Sequence, residues 1–389
     1  MSRAEGAREP AYCFEQGPIR PPNEATSLLI RVTRNCPWNR CAFCPVYKGK
    51  RFSVRAVEDV KADIDAVHAH VCALREVAEE EGGISRERLE ALAERVGDED
   101  MMSFSAAAHW FCAGGMKSIF LQDADSLVIK TRDLVKIIGH LRRRFGWVER
   151  ITSYSRSRTI ASKREADLTA IRESGLSRIH VGLESGSDEV LNMVRKGATK
   201  AVHIEAGRKA KEAGLELSEY IMPGLGGRAL REVHARETAD ALNQIDPDFI
   251  RIRTLAVSPS APLWKMCCDG AFEPCSDVEV AEELLMLIEG LEGIGSTVKS
   301  DHILNLFEDL EGKLPDDKER MVGMLRRFLD MDAESQGLYQ VGRRLGVFAG
   351  LGDLEDRGKR DRVDELCRRM GVTSENVDEF ASGMMRRFV

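Results

Sequence analysis

From residue 27 onward, short β-branched apolar runs alternate with amphipathic stretches of helical period. That is the pattern of βα units laid around a parallel sheet. The alternation predicts strands at 27–33, 118–121, 150–153, 178–183, 216–221 and 249–253, and the longer period predicts helices at 57–74, 131–144, 163–174, 200–213 and 230–245. Gly175 and Gly214 each close a helical run just before a strand, where a helix C-terminus commonly turns through a left-handed residue. Six consecutive repeats result.

Two stretches break the rhythm. Residues 75–113 are far too long for an αβ connection, and their text, Glu79-Glu80-Glu81 followed by a run rich in arginine and glutamate, reads as an inserted helical hairpin. Beyond Ser276 the character changes again: 278–291 is helical, 297–299 is a candidate seventh strand, and 316–389 is highly charged and mostly helical. The expected division is an N-terminal extension over 1–26, an α/β body over 27–275 and a mostly helical region over 276–389.

Composition narrows the class. The chain has 389 residues, 43% of them hydrophobic, so it carries enough apolar material for a large folded core, and disorder and fibre are excluded. Its apolar runs are broken by charge before the roughly 18 residues that a membrane helix needs. The first ten residues place charges where a secretion signal has its apolar centre, so a cytoplasmic protein without membrane contact is expected. With 57 Lys and Arg against 64 Asp and Glu, the net charge of −7 argues against nucleic acid as a partner, although a local basic site stays open. Ten cysteines without an export signal point to metal or redox chemistry where they cluster and to packing where they scatter.

They cluster just after the first strand, in Arg34-Asn35-Cys36-Pro37-Trp38-Asn39-Arg40-Cys41-Ala42-Phe43-Cys44-Pro45. Three thiolates this close on a loop can reach three corners of one iron–sulfur cube, which leaves the fourth iron open to a chelating small molecule. A structural zinc would want a fourth ligand, and the nearest candidates, His68 and Cys72, sit inside a predicted helix.

Three cysteines after the first strand of βα repeats, with Phe43 ahead of the last, resemble the radical S-adenosylmethionine (SAM) enzymes. That family commonly spaces its cysteines C-x₃-C-x₂-C, and this chain has one residue more between Cys36 and Cys41. The resemblance implies a partial (β/α)₆ barrel and a [4Fe–4S] cluster on Cys36, Cys41 and Cys44. It extends to Asp123-Ala124-Asp125 after the second strand, where Asp125 keeps the acid of the family's methionine-binding motif. The run from Gly182 to Leu191 is similar to a ribose-binding turn; by that likeness Glu184 holds ribose hydroxyls and Lys196, on the following helix, the methionine carboxylate. At Ile221-Met222-Pro223-Gly224, the glycine allows close backbone approach to adenine. Ser155 also follows a predicted strand, on the rim where barrel active sites collect.

The implied activity is reductive cleavage of SAM and hydrogen abstraction from a small molecule by a 5′-deoxyadenosyl radical. The protein would be oxygen-sensitive and draw electrons from a flavodoxin or ferredoxin. The alternative is a non-catalytic relative that keeps the cluster and binds haem. Twenty-six residues before the first strand are too few for a cobalamin domain, so a cobalamin mechanism is not expected.

Strand alternation over 249–253 sends Arg251 and Arg253 to one face. If that face is the barrel interior, the pair can grip an anionic substrate, with Glu219 on the neighbouring strand meeting part of their charge. Cys267, Cys268 and Cys275 are read as non-ligating, Cys13, Cys72, Cys112 and Cys367 as packing or surface residues, and His109 and His302 as structural.

Overall fold

A computed structural model of the chain describes residues 14–388. It is a mixed α/β fold with a mostly parallel eight-stranded sheet whose strand order follows the chain. By packing the described residues divide into two compact units, one built from residues 14–37, 51–154 and 169–178, the other from 38–50, 155–168 and 179–388.

In the first unit β1 (Leu28–Arg31) pairs in parallel with β4 (Ser118–Gln122), which pairs in parallel with β5 (Arg150–Ser155). The first predicted strand is split, because the chain leaves β1 at Val32 and forms a separate antiparallel pair from β2 (Thr33–Arg34) and β3 (Ser53–Val54). The helix predicted at 57–74 runs on to Glu81, since Arg75–Glu81 are good helix formers, and it stops at left-handed Gly82. Its buried residues Val60, Ile64, Val67, Val71 and Leu74 recur at helical spacing, and the helix packs against helices Met101–Gly114 and Thr131–Arg144. The insertion is helical as expected: Arg86–Ala93, capped by the Ser85 side chain, is followed by Met101–Gly114.

The second unit carries most of β6 (Arg178–Glu184), then β7 (Glu216–Ile221), β8 (Phe249–Ile252), β9 (Thr297–Lys299) and β10 (Gly312–Lys313). β7, β8 and β9 pair in parallel, and β10, which alternation did not reveal in a two-residue stretch, runs antiparallel to β9. The helix predicted over 163–174 is Glu165–Glu173, and a short helix that the pattern did not reveal, Ser157–Ser162, precedes it and ends in extended backbone at Lys163. Helices Gly227–Ile245 and Asp277–Gly290 pack on one another. Four more, Lys318–Leu329, Ala333–Arg344, Arg357–Met370 and Val377–Met385, form the charged C-terminal region. Both Gly175 and Gly214 adopt positive φ just past a helix, as their positions predicted. Among the described residues no helix is long and apolar enough to cross a membrane. Cys13 lies outside the described residues.

Candidate cofactor site

The cysteine loop is held in place by the chain segment that follows the ribose-type turn. Residues 38–50, which carry Cys41 and Cys44, meet residues 194–197 through backbone and ring contacts. Ala42 N donates to Val194 O at 2.7 Å, and Trp38 Nε1 donates to Arg195 O at 2.8 Å. Gly197, at φ +75°, lies so close to the Trp38 ring that a Cβ there would come within 2.4 Å of it. Leu263 N donates to Ala42 O at 2.9 Å, and Lys48 Nζ donates to the carbonyls of Asn39 (3.0 Å) and Cys41 (2.9 Å). These contacts account for a loop of little regular structure holding one shape. Cys41 and Cys44 are half-buried, as is Cys36 in the first unit.

Lys196 is not on a helix. Helix Asp188–Met193 is short, and left-handed Arg195 (φ +54°) and Gly197 end it, so Lys196 sits in the loop beyond. Its ammonium lies 3.0 Å from Glu184 Oε1 and 5.8 Å from the centre of the Phe43 ring, with both members of the ion pair about one-eighth exposed. Arg156 Nη2 donates to the Lys196 carbonyl at 3.1 Å, which fixes the backbone that carries the ammonium. Burial alone would lower the Lys196 pKa, but the Glu184 carboxylate and the nearby Cys41 group more than reverse that and push it up. A thiolate-rich loop beside a firmly charged ammonium and a carboxylate suits a ligand that combines a carboxylate with hydroxyls.

Glu184 closes β6 in the left-handed region, at φ +64°. Gly182, two residues before, has no side chain to obstruct the pair: a Cβ there would lie 2.2 Å from Glu184 Oε1 and 2.9 Å from Lys196 Nζ. Gly224, after β7, stands at φ +85°, and its N–H donates to both Glu283 oxygens at 3.1 Å. Buried Ser155 ends β5, and buried Asp125 stands at the entry to the short turn Ser126–Val128 after β4.

Asp123 is differently employed. Its carboxylate is wholly buried and accepts from Arg31 Nη2 (2.7 Å), Arg31 Nε (3.0 Å) and Asn35 N (3.0 Å). It therefore anchors the backbone one residue before Cys36, in competition with any ligand.

The arginine clamp is not assembled. β8 ends at Ile252, so the alternation that placed Arg253 beside Arg251 does not reach it, and Arg253 is exposed. Arg251 is buried, yet its charge is met by Asp301 Oδ2 at 2.5 Å, and its Nε donates to Ser218 Oγ at 3.2 Å. Glu219 is register-paired with Ile250, one position from Arg251's partner Tyr220, and does not serve the arginine. It is fully buried with neither oxygen hydrogen-bonded. Burial and the Glu184 charge push its pKa well up against the pull of Lys196.

Three residues of this neighbourhood had no motif to announce them: Glu283, Arg156 and His234, whose side chain reaches the Glu184 carbonyl. His109 is exposed against Ala25 O; the half-buried His302 ring is depressed to about 4 by desolvation and by Arg253. Cys72 lies 3.8 Å from His68 on an exposed helix face, and among the described residues no three His, Cys, Asp or Glu side chains converge on a single-ion site. A cube, by contrast, takes its thiolates at separate corners.

Residues 106–238 match the family model described as the Radical SAM superfamily. The chain is 26% identical over 120 residues to a tRNA uridine(34) acetyltransferase of Methanocaldococcus infernus, 30% of this chain and 22% of that protein. It is also 26% identical over 113 residues to an uncharacterised methyltransferase of Pyrococcus horikoshii, 29% of this chain and 24% of that one. The matched stretch thus spans about a quarter of the length of these curated relatives. Among solved structures, the cobalamin-dependent SAM radical enzyme OxsB aligns over 92% of this chain and 53% of its own at 13% identity, with a TM-score of 0.44. Methylornithine synthase aligns over 70% and 64% at 15% identity, with a TM-score of 0.43. The family match takes in Asp125, Ser155, Glu184, Lys196 and Gly224, and the three cysteines precede it. Residues 106–238 of the chain thus match the radical SAM superfamily, whose enzymes bind a [4Fe–4S] cluster and SAM.

Proposed function

We propose that the protein reductively cleaves SAM at a [4Fe–4S] cluster ligated by Cys36, Cys41 and Cys44 and uses the resulting radical to take hydrogen from a substrate. The observation that carries this reading is the docking of the Cys41–Cys44 loop onto residues 194–197, which brings Phe43 to the Lys196 ammonium and ties that ammonium to Glu184. When bound, the cluster and SAM supply an electron and a hydrogen-abstracting radical; the chain binds, orients and keeps water out. Lys196 receives the methionine carboxylate, Glu184 accepts from ribose hydroxyls, the backbone at Gly224 lies against adenine, and Asp125 and Ser155 complete the rim.

An anionic substrate has no clamp in Arg251 and Arg253, so substrate class is left to experiment. Because two curated relatives are tRNA uridine(34) acetyltransferases, RNA joins the candidates despite the acidic net charge. The test is anaerobic reconstitution with iron and sulfide, then reductant and SAM, with 5′-deoxyadenosine measured alone, with small-molecule extract and with total tRNA. Wild-type protein should be brown and form 5′-deoxyadenosine. A Cys36→Ala, Cys41→Ala, Cys44→Ala triple variant that keeps a full cluster overturns the ligand assignment. Stoichiometric haem binding without SAM turnover would favour the non-catalytic alternative.

A further inference from the structure

We propose that His234 and Glu283 are positioning residues that tie the ribose turn at Glu184 to the adenine turn at Gly224. The idea rests on the SAM assignment above. Glu184 holds a left-handed conformation that residues with a side chain rarely keep without outside support. Its carbonyl accepts twice, from Met222 N at 3.0 Å and from His234 Nε2 at 3.2 Å. On the other edge of the ring, Nδ1 lies 2.9 Å from Glu283 Oε1, an ion-pair contact off the ideal hydrogen-bond direction. The same carboxylate receives Gly224 N at 3.1 Å on each oxygen. A single line of contacts therefore joins the two turns, through side chains that are each 1% exposed.

The ring works best charged, since the imidazolium adds an ion pair with Glu283 to the hydrogen bond that Nε2 donates to the Glu184 carbonyl. Burial alone would lower its pKa, but the Glu283 carboxylate and the Glu184 carbonyl more than offset that and raise it. The other titratable group beside Glu283 is Cys275, whose thiol is pushed up to about 12 by burial, Glu283 and Glu279, so it adds no charge at neutral pH. An apolar pair between helices Gly227–Ile245 and Asp277–Gly290 would pack at least as stably as a buried ion pair. What apolar residues would not provide is a charged donor for one loop and a carboxylate for the other.

The full chain, reconstituted anaerobically, is tested with SAM as the probe, comparing wild type, His234→Leu, His234→Gln, Glu283→Gln and Glu184→Ala. Cluster content should be unchanged. SAM affinity should fall about ten- to a hundredfold in His234→Leu and Glu283→Gln, because displaced binding groups cost that much. His234→Gln keeps a donor for the Glu184 carbonyl and should recover part of the loss. Wild-type SAM affinity should decline as pH rises through the ionisation of His234, and this decline should be absent in His234→Gln. If Glu184→Ala weakens SAM binding while the His234 and Glu283 variants lose only thermal stability, the tie is structural and the proposal fails. If Glu184→Ala also leaves SAM affinity unchanged, the SAM assignment itself falls. Should His234→Leu not fold, identical pH profiles for wild type and His234→Gln overturn the proposal.

Discussion

Two carboxylates in the core, one after β4 and one within β7, show how differently burial can be used. Asp123 and Glu219 are both completely inaccessible. Asp123 is saturated, with the Arg31 guanidinium and the Asn35 backbone on it, whereas Glu219 has no hydrogen bond on either oxygen. The first is a structural anchor for the backbone one residue before Cys36. The second is a carboxyl whose pKa is pushed well up by desolvation and the neighbouring Glu184 charge. Burial alone therefore says little about role; the partners decide it.

The comparison can be broken most sharply at Asp123. Asp123→Ala removes one of the two carboxylates on a mostly buried guanidinium, leaving Glu15, and takes the acceptor from Asn35 N, and we expect a loss of about 3 kcal/mol in chemical denaturation. An unchanged midpoint would mean that the anchor contributes nothing. Next in size, Glu184→Ala should weaken SAM binding by about 1.5–3 kcal/mol, or roughly ten- to a hundredfold, with cluster content unchanged.

Glu219→Met should have the opposite sign, stabilising the fold by about 1–3 kcal/mol because an unsatisfied polar group is removed. Its pH dependence is set by the raised ionisation of Glu219. The folded protein keeps the proton after the unfolded chain has released it. Wild-type stability is therefore greatest below the ordinary carboxyl value and falls as pH climbs towards the folded one. The advantage of Glu219→Met should widen over that interval, and a gap that narrows with rising pH would contradict the assignment. Smallest of all, exposed Arg253→Gln should shift stability by no more than about 0.5 kcal/mol. Arg251→Gln, which strips Asp301 and Ser218 of a buried partner, should cost about 1–3 kcal/mol. Equal effects at the two arginines would restore the idea that they act together.

Local chemistry made much of this protein legible from its sequence. Strand and helix periods located β4 to β9 to within a residue or two, since each βα unit must bury one face and that requirement is written in the order of apolar residues. The glycines at 175, 214 and 224 marked positive φ, and three cysteines within nine residues pointed to a cluster. Glu184 and Lys196 were named by a local motif and do form a pair. Termination was harder to read: the end of β8 at Ile252 and of the helix at Met193 depend on single backbone angles, and both moved a side chain from its expected place.

Partnership across distance was beyond the sequence. Whether Arg251 is free or held depended on Asp301, fifty positions away. That the Asp123 carboxylate is held depended on where Arg31 points. His234 and Glu283 lie in ordinary amphipathic helices, and only packing of those helices brings them to the Glu184 carbonyl and the Gly224 amide. A side chain's type and period are local properties of the chain, whereas its charge state and its role follow from what the completed fold brings within about 3 Å of it.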